Sequence, residues 1–410
     1  MNEEIGRSGQ KRYGGVFYEE FLTELQGIRG VRTYLEMSEN DDVIGAILFA
    51  IKMLIRQVKW GVQTVSNDKP DLKAAEFIES CLHDMQSTWT DTVSEILSFL
   101  TYGWSVHEIV YKRRMGAKKD PRLDSKFSDG LIGWQKLPIR SQESLYEWDF
   151  DEHDNLRAFV QMPAPSFRII RIPVDKILLF RTESRKDNPE GRSILRNAYR
   201  AWFYKTRIQE IEGIGIERDL AGFPVLTSPE GVDLWNDLNL YNKATKFVSN
   251  IRRDAMEGMA LPFGWKLELL TTGGKRQFDT SEIIKRYDTR IAMTVLADFL
   301  FLGHGNTGSW ALSSDKTRLF SMAIGAYLDI IIETFNRKAI PQLMELNKKF
   351  FAGIGGYPKL VHGDIEVAEY DKIAPFLRDL IGVGVLTPDE SLEDFIRATY
   401  SLPPRIDDKE

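Results

Sequence analysis

The sequence predicts an α+β fold, mostly helical, on three observations. Apolar residues recur at helical spacing over residues 192–221, 279–301 and 313–350. Residues 131–180 have a β texture, with apolar residues set between proline, glycine and acidic turns. A small mixed module, Gly222 to Lys275, interrupts the first two long runs.

Residues 1–30 are polar and glycine-bearing and read as a loose arm. Asp41 to Lys59 reads as a helix with Val43, Ala46, Ile47, Ala50, Leu54 and Val58 on one face, and Trp60 to Val65 as a short strand. Asp71 to Met85 and Asp91 to Thr101 are amphipathic helices, with Cys81 in the first. Ser105 to Lys112 alternates as a strand. Lys112 to Asp129 is charged and glycine-bearing; its cations Lys112, Arg113, Arg114, Lys118 and Lys119 suit a solvated loop or a phosphate contact.

In the β region, Asp149 to Asp154 is a hairpin tip and not a calcium loop, because the ligand spacing is wrong. Asn188-Pro189-Glu190-Gly191-Arg192-Ser193 closes that region and opens a helix of roughly 28 residues, some 40 Å at helical rise. It carries Ile194, Leu195, Ala198, Trp202, Ile208, Ile211 and Ile214. The inserted module reads as a strand at Val225 to Thr227, a helix over Gly231 to Arg253, and a strand pair over Met259 to Leu270 around Phe263-Gly264-Trp265.

Asp279, with Glu282 three residues on, is a helix start. Ile284, Tyr287, Ile291, Val295 and Phe299 follow at helical spacing up to a glycine-rich loop at Gly303. Ser313 and Ser314 offer a second start, and Leu319, Ala323, Ala326, Ile330 and Phe335 form the next apolar stripe. Pro341 removes a helical donor, which predicts a kink there. A strand at Lys359 to Val361 and short helices over Asp371 to Leu380 and Pro388 to Tyr400 complete the chain.

Gly303-x-Gly305-x-x-Gly308 matches the dinucleotide fingerprint letter for letter. That fingerprint needs a strand to deliver the backbone to the pyrophosphate. Here a helical period precedes it, and Asp329 falls in a helix rather than at a strand end. The phosphate-loop reading also fails, since Ser309 stands where its lysine belongs. A nucleotide-binding enzyme therefore stays only as an alternative reading.

With 410 residues the chain has room for two or three domains or one elongated multi-part subunit. The single cysteine excludes an internal disulfide and suits a reducing compartment. No secretory signal is expected at Met1-Asn2-Glu3-Glu4, and Asp298 and Asp329 interrupt the most apolar runs, so no membrane span is expected. A net charge of −6 argues against a general nucleic-acid binder. His83, His107, His153, His304 and His362 show no metal-ligand spacing, and no Gly-x-Ser-x-Gly elbow occurs. The reading is non-enzymatic, without metal or cofactor. A metal-dependent DNA-processing enzyme with dispersed carboxylates is the second alternative.

Three local patterns, in order, carry a resemblance. They are the helix ending in Trp60 before a strand, Tyr102-Gly103-Trp104 before Glu108-Ile109-Val110-Tyr111, and Gly191-Arg192-Ser193-Ile194-Leu195 with Trp202 and Lys205. Together with the sequence of helix, inserted module, helix, loop and kinked helix, nearly the whole chain resembles the portal proteins of tailed bacteriophages. The resemblance implies a dodecameric ring at one capsid vertex, a head–tail connector through which double-stranded DNA is packaged and ejected. It implies a virion protein assembled in the host cytoplasm. Its partners would be the large terminase ATPase, a head-completion or adaptor protein, and the major capsid and scaffolding proteins, with no membrane.

By that likeness, 1–190 would be the first part of the wing, 191–221 and 278–301 the stem helices, and 222–277 the clip. Residues 302–312 would be the tunnel loop, 313–364 the rest of the wing, and 365–410 a small crown. His304, Asn306, Thr307 and Ser309 would meet phosphate oxygens without sequence preference. Trp310 would prop the loop on a neighbour or pack in a core. Arg196, Arg200, Lys285 and Arg286 would face the channel or pair across subunits. Trp235, Tyr241, Arg252 and Arg253 would lie at the clip interface. Twelve copies at −6 give the ring roughly −70, so DNA would pass without being gripped.

Overall fold

The protein is described here by a computed structural model covering residues 6, 8–118, 120–221, 223–249, 260–270, 279–296 and 310–363. It divides into two compact units. The first is drawn from Met1–Glu19, Phe49–Arg192 and Ser314–Glu410, the second from Glu20–Leu48 and Ser193–Ser313. The expected glycine-rich loop and the two C-terminal short helices lie outside the described residues.

In the first unit, β1 (Arg12–Tyr13) and β2 (Val16–Phe17) form a hairpin where a loose arm was expected. Phe17 explains the difference, since it is 3% exposed and packs with Trp104, Val106, Trp148, Phe159, Ile172 and Ile177. That aromatic core lies between two antiparallel three-stranded sheets. One has β9 (Leu156–Gln161) between β8 (Leu145–Phe150) and β10 (Ile170–Pro173). The other has β4 (Trp104–Glu108) between β7 (Ile139–Arg140) and β11 (Ile177–Arg181). The acidic tip between β8 and β9 is a turn in which Asp151 accepts backbone N–H groups from His153 and Asn155.

α2 (Asp42–Gln57) begins in the second unit and ends in the first. It buries Ile44, Ile47, Leu48, Ile51, Ile55 and Val58, a face turned from the expected one because apolar residues nearly encircle it. β3 (Trp60–Gln63) pairs with β14 (Lys359–His362). α3 (Lys69–His83) buries Cys81, whose thiol burial pushes up to about 11, so it is a core group. The next expected helix divides into α4 (Trp89–Ile96) and α5 (Ser98–Tyr102), which Gly103 ends at φ +92°.

The basic stretch at and after β5 (Val110–Arg113) is solvated only in part: Arg113 and Lys118 are exposed as expected, Lys112 and Arg114 are buried, and Lys119 lies outside the described residues. β5 pairs with β6 (Ile132–Lys136), and its alternation turns Lys112 inward, 3.1 Å from Asp84. Burial would raise the Asp84 carboxyl, but hydrogen bonds from Ser125, the Lys126 N–H and Lys112 hold it below the usual range. Arg114 is buried as well, 2.8 Å from Asp129 and stacked over Phe127 at 4.0 Å.

α9 (Trp310–Thr334) is already helical at Trp310, so Ser313 and Ser314 lie inside it and do not cap it. It buries Phe320, Ile324, Leu328 and Ile331, while Leu319 of the expected stripe is 54% exposed. The expected irregularity at Pro341 takes the form of a π turn, Phe335–Ala339, followed by α10 (Ile340–Leu346). A wider turn removes the clash between the proline ring and the carbonyl one turn back. Phe335 enters a cage of Trp89, Trp134 and Phe180 at 5.1, 6.0 and 6.1 Å. From this helix two asparagines act as substitute strands. Asn336 exchanges hydrogen bonds with both backbone groups of Leu360, and Asn347 does the same with Ile132.

Two stability predictions follow from these contacts. Asn347→Ala leaves a buried N–H and C=O of Ile132 without partners and should cost about 1–3 kcal/mol in chemical denaturation. A Cβ on Gly191 would sit 2.3 Å from Gly103 O at φ +61°, so Gly191→Ala should cost at least about 2 kcal/mol. Unchanged midpoints would contradict both assignments.

Candidate functional site

The second unit is built on two long helices. Ser193 caps a short 3-10 turn, Ile194–Arg196, through the Leu195 N–H, and α6 (Tyr199–Ala221) follows, starting later than expected. Asp279 caps α8 (Thr280–Thr294) through the N–H groups of Ser281 and Glu282. α8 ends well before Phe301, with Leu296 at φ +60°. The two helices run antiparallel. Tyr204 stacks on Tyr287 at 6.4 Å, Lys205 meets Asp288, and Glu212 accepts a hydrogen bond from Thr280. α1 (Gly27–Asn40), which was not expected, belongs to this same unit.

Lys205 stood in the sequence only as part of a family pattern, and its role as a buried ammonium was missed. Ala198 just before α6 and Ala201 and Trp202 on it are buried, and Lys205 follows on the same face at 1% exposure. Its ammonium lies 3.0 Å from Asp41, 3.0 Å from Asp42 and 2.6 Å from Asp288. Burial alone would depress its pKa; hydrogen bonds from it to Asp288 and Asp42, and the charge of Asp41, raise it instead. Asp41 also accepts the Val43 and Ile44 N–H groups, so one carboxylate both starts α2 and holds Lys205. The sequence signal was a lysine on an apolar helical face together with the paired Asp41-Asp42.

Of the expected basic residues, Arg196 is committed within its own unit, through a two-point pair with Glu20 at 2.5 and 2.7 Å. That carboxylate neutralises it within the chain. Arg200, Lys285 and Arg286 are exposed, with Arg286 and Arg290 set near Tyr287 at 5.6 and 5.9 Å. Between these cations α6 exposes Phe203, Ile211 and Ile214, and α8 exposes Met293.

In the inserted module β12 (Phe223–Thr227) pairs antiparallel with β13 (Lys266–Leu270), and α7 (Leu238–Ser249) packs on β12. The second strand pair is therefore one strand, and the helix starts later than Gly231 because Asp237 caps it through Asn239 and Leu240. Trp235 is 81% exposed, its ring 5.4 Å from that of Tyr241. His304, Asn306, Thr307, Ser309, Arg252 and Arg253 lie outside the described residues, and Trp310 opens α9.

His107 is fully buried on β4, where its Nδ1–H donates to Leu137 O at 2.8 Å; burial lowers it to about 4 and keeps it neutral. Among the described residues no group of three His, Cys, Asp or Glu is placed to hold a metal.

Removing the buried ammonium should unfold the second unit. Lys205→Ala leaves Asp41 and Asp288 unpaired and should cost about 3–5 kcal/mol. Asp42 is held below its usual range chiefly by Lys205, so its share of the stability is present at neutral pH and falls away as pH drops toward the folded pKa. A Lys205→Ala denaturation midpoint equal to the parent's would contradict this role.

Residues 31–402 match the family described as the portal protein of Mu bacteriophage. Among solved structures, the neck of an empty gene transfer agent particle computed with C6 symmetry matches with a TM-score of 0.50 at 12% identity. It covers 91% of this chain and 94% of that chain. The neck of the native particle computed with C12 symmetry matches with the same values. An HK97-family phage portal protein from Corynebacterium diphtheriae matches with a TM-score of 0.43 at 9% identity, over 78% of this chain and 92% of that chain. The likeness to the particle necks is one of fold, an α+β fold of helices and short antiparallel sheets, and the family match extends over most of the sequence. The chain belongs to the bacteriophage portal protein family.

Proposed function

We propose that copies of this chain close into a ring, most simply of twelve, at one vertex of a phage or phage-like capsid. The ring is the channel for double-stranded DNA during packaging and ejection, and the platform on which the packaging ATPase and head-completion protein dock. The match of residues 31–402 to the portal family carries this reading. The C12 symmetry with which the similar particle neck was computed supports the subunit number.

In this reading α6 and α8 are the stem, the β12–β13–α7 module is the clip, and residues 302–309 are a tunnel loop that touches passing phosphates. Residues 1–190 and 313–364 are the wing, and residues 365–410 a small crown. A closed ring of heterologous contacts needs two different faces on each copy. The exposed stripe of Phe203, Ile211 and Ile214 suits one of them. The exposed Arg200, Lys285 and Arg286 line the channel or meet carboxylates of the next copy, and the acidic balance of the whole chain keeps DNA from binding tightly. Trp235 and Tyr241, a bare aromatic pair, suit an anchor for the motor or adaptor. No catalytic residue is assigned.

Packaging by particles rebuilt around a variant tests the docking assignment. Trp235→Ala with Tyr241→Ala should leave ring assembly intact and lower the yield of DNA-filled heads at least about tenfold, the loss expected when an aromatic anchor worth about 1.4 kcal/mol or more is truncated. Full packaging by the double variant would refute that role for the clip pair.

A further inference from the structure

The segment that carries the chain out of the first unit is clasped at a backbone crossing. Gly103 and Gly191 meet so closely that a Cβ on Gly103 would lie 2.7 Å from Glu190 O. Thr182 ties the crossing on both sides: its N–H donates to Gly103 O at 3.0 Å, and its hydroxyl bonds the N–H and C=O of Arg192. Arg181 donates to Asn188 O at 3.0 Å, and Asn188 Oδ1 accepts the Glu190 N–H at 2.9 Å.

One side chain of the crossing does not fit this pattern of satisfied bonds. The Glu190 carboxyl is turned onto the Trp148 indole, whose Nε1–H donates to it at 3.2 Å. Trp148 is 1% exposed and stands 5.1 Å from Trp104 and 5.3 Å from Phe159, so the carboxyl is set against an aromatic core. Among the described residues no cation pairs with Glu190. Five cations on the surrounding elements are engaged with other carboxylates. Arg181 is with Asp187, Arg185 with Glu183, Lys186 with Glu19, Arg171 with Asp149, and Arg12 with Asp154. Glu147 of β8 carries the same charge as an ionised Glu190 and cannot balance it.

We propose that Glu190 is a proton-operated clasp. As the neutral acid it stays on Trp148 and closes residues 188–192 onto the first unit; as the carboxylate it leaves the aromatic wall for water and the segment loosens. Glu190 is half-buried as a residue, and the burial of its carboxyl against this wall, opposed only by the Trp148 N–H, raises the group to about 7. A carboxyl raised in the folded state favours folding most at low pH, and that contribution is lost as pH rises from the ordinary glutamate range through about 7. The change therefore falls in the physiological range, where an ordinary glutamate does not titrate.

Hydrogen exchange of the 185–196 peptide, corrected for the intrinsic pH dependence of exchange, reads the clasp in the full-length protein. Between pH 6 and pH 8 wild-type protection should fall about tenfold, following the tenfold change in neutral fraction per pH unit beyond the midpoint. Glu190→Gln keeps an acceptor for Trp148 without a charge and should hold the same protection at both pH values. Equal wild-type protection at pH 6 and pH 8, or a Glu190→Gln profile that follows the wild type, would overturn the proposal. If Glu190→Gln does not fold, the wild-type profile decides: protection that keeps falling up to about pH 7 and then levels off supports the clasp, and protection already level above pH 5.5 refutes it.

Discussion

A buried ammonium has to be surrounded by carboxylates or it cannot stay charged away from water. Lys205 meets that requirement with three, taken from separate parts of the chain: Asp41 and Asp42 at the α1–α2 turn, and Asp288 on α8. The pairing of α6 with α8 and the docking of the α1–α2 turn are thus set by one charge. Packing alone would leave these helices free to slide, because an apolar stripe tolerates several registers. An ammonium with directed hydrogen bonds specifies one. For a protein proposed to be a channel, a stem with a single register keeps the exposed stripe and cations in fixed positions relative to a neighbouring copy.

The first unit uses neutral groups for the same purpose. Asn336 and Asn347 stand in for missing strands, and Thr182 with Gly103 and Gly191 fixes a backbone crossing. Two of the three patterns that carried the family resemblance, Tyr102-Gly103-Trp104 and Gly191-Arg192-Ser193, meet at that crossing. Their glycines are therefore explained by close approach rather than by any chemistry, which accords with a structural protein.

Where a residue's local period matched its tertiary setting, the fold could be read in advance. The helix cap at Asp279, the hairpin tip at Asp151, the strand at Lys359 and the buried Cys81 are of this kind. The misreadings share a cause in long-range contacts. α2 and α9 are apolar on more than one side, so spacing alone could not choose the buried face. Lys112 looked solvated because its partner Asp84 lies far back in the sequence, and Arg114 because Asp129 reaches it only once the stretch between them folds back. Phe17 looked like part of an arm because its core is assembled from β4, β8 and β9. The dinucleotide fingerprint at Gly303 had the letters, but a helical period and not a strand pattern precedes it in the sequence. The preceding described element is the helix α8, and the family match accounts for the chain without it.

Ring closure is the central claim, and the mass and shape of the purified protein test it most directly. Native mass spectrometry with negative-stain microscopy should find an assembly of about twelve copies with a central hole, the closed heterologous ring expected for this family. A compact dimer without a channel, retained at high protein concentration and able to bind NAD, would contradict the account.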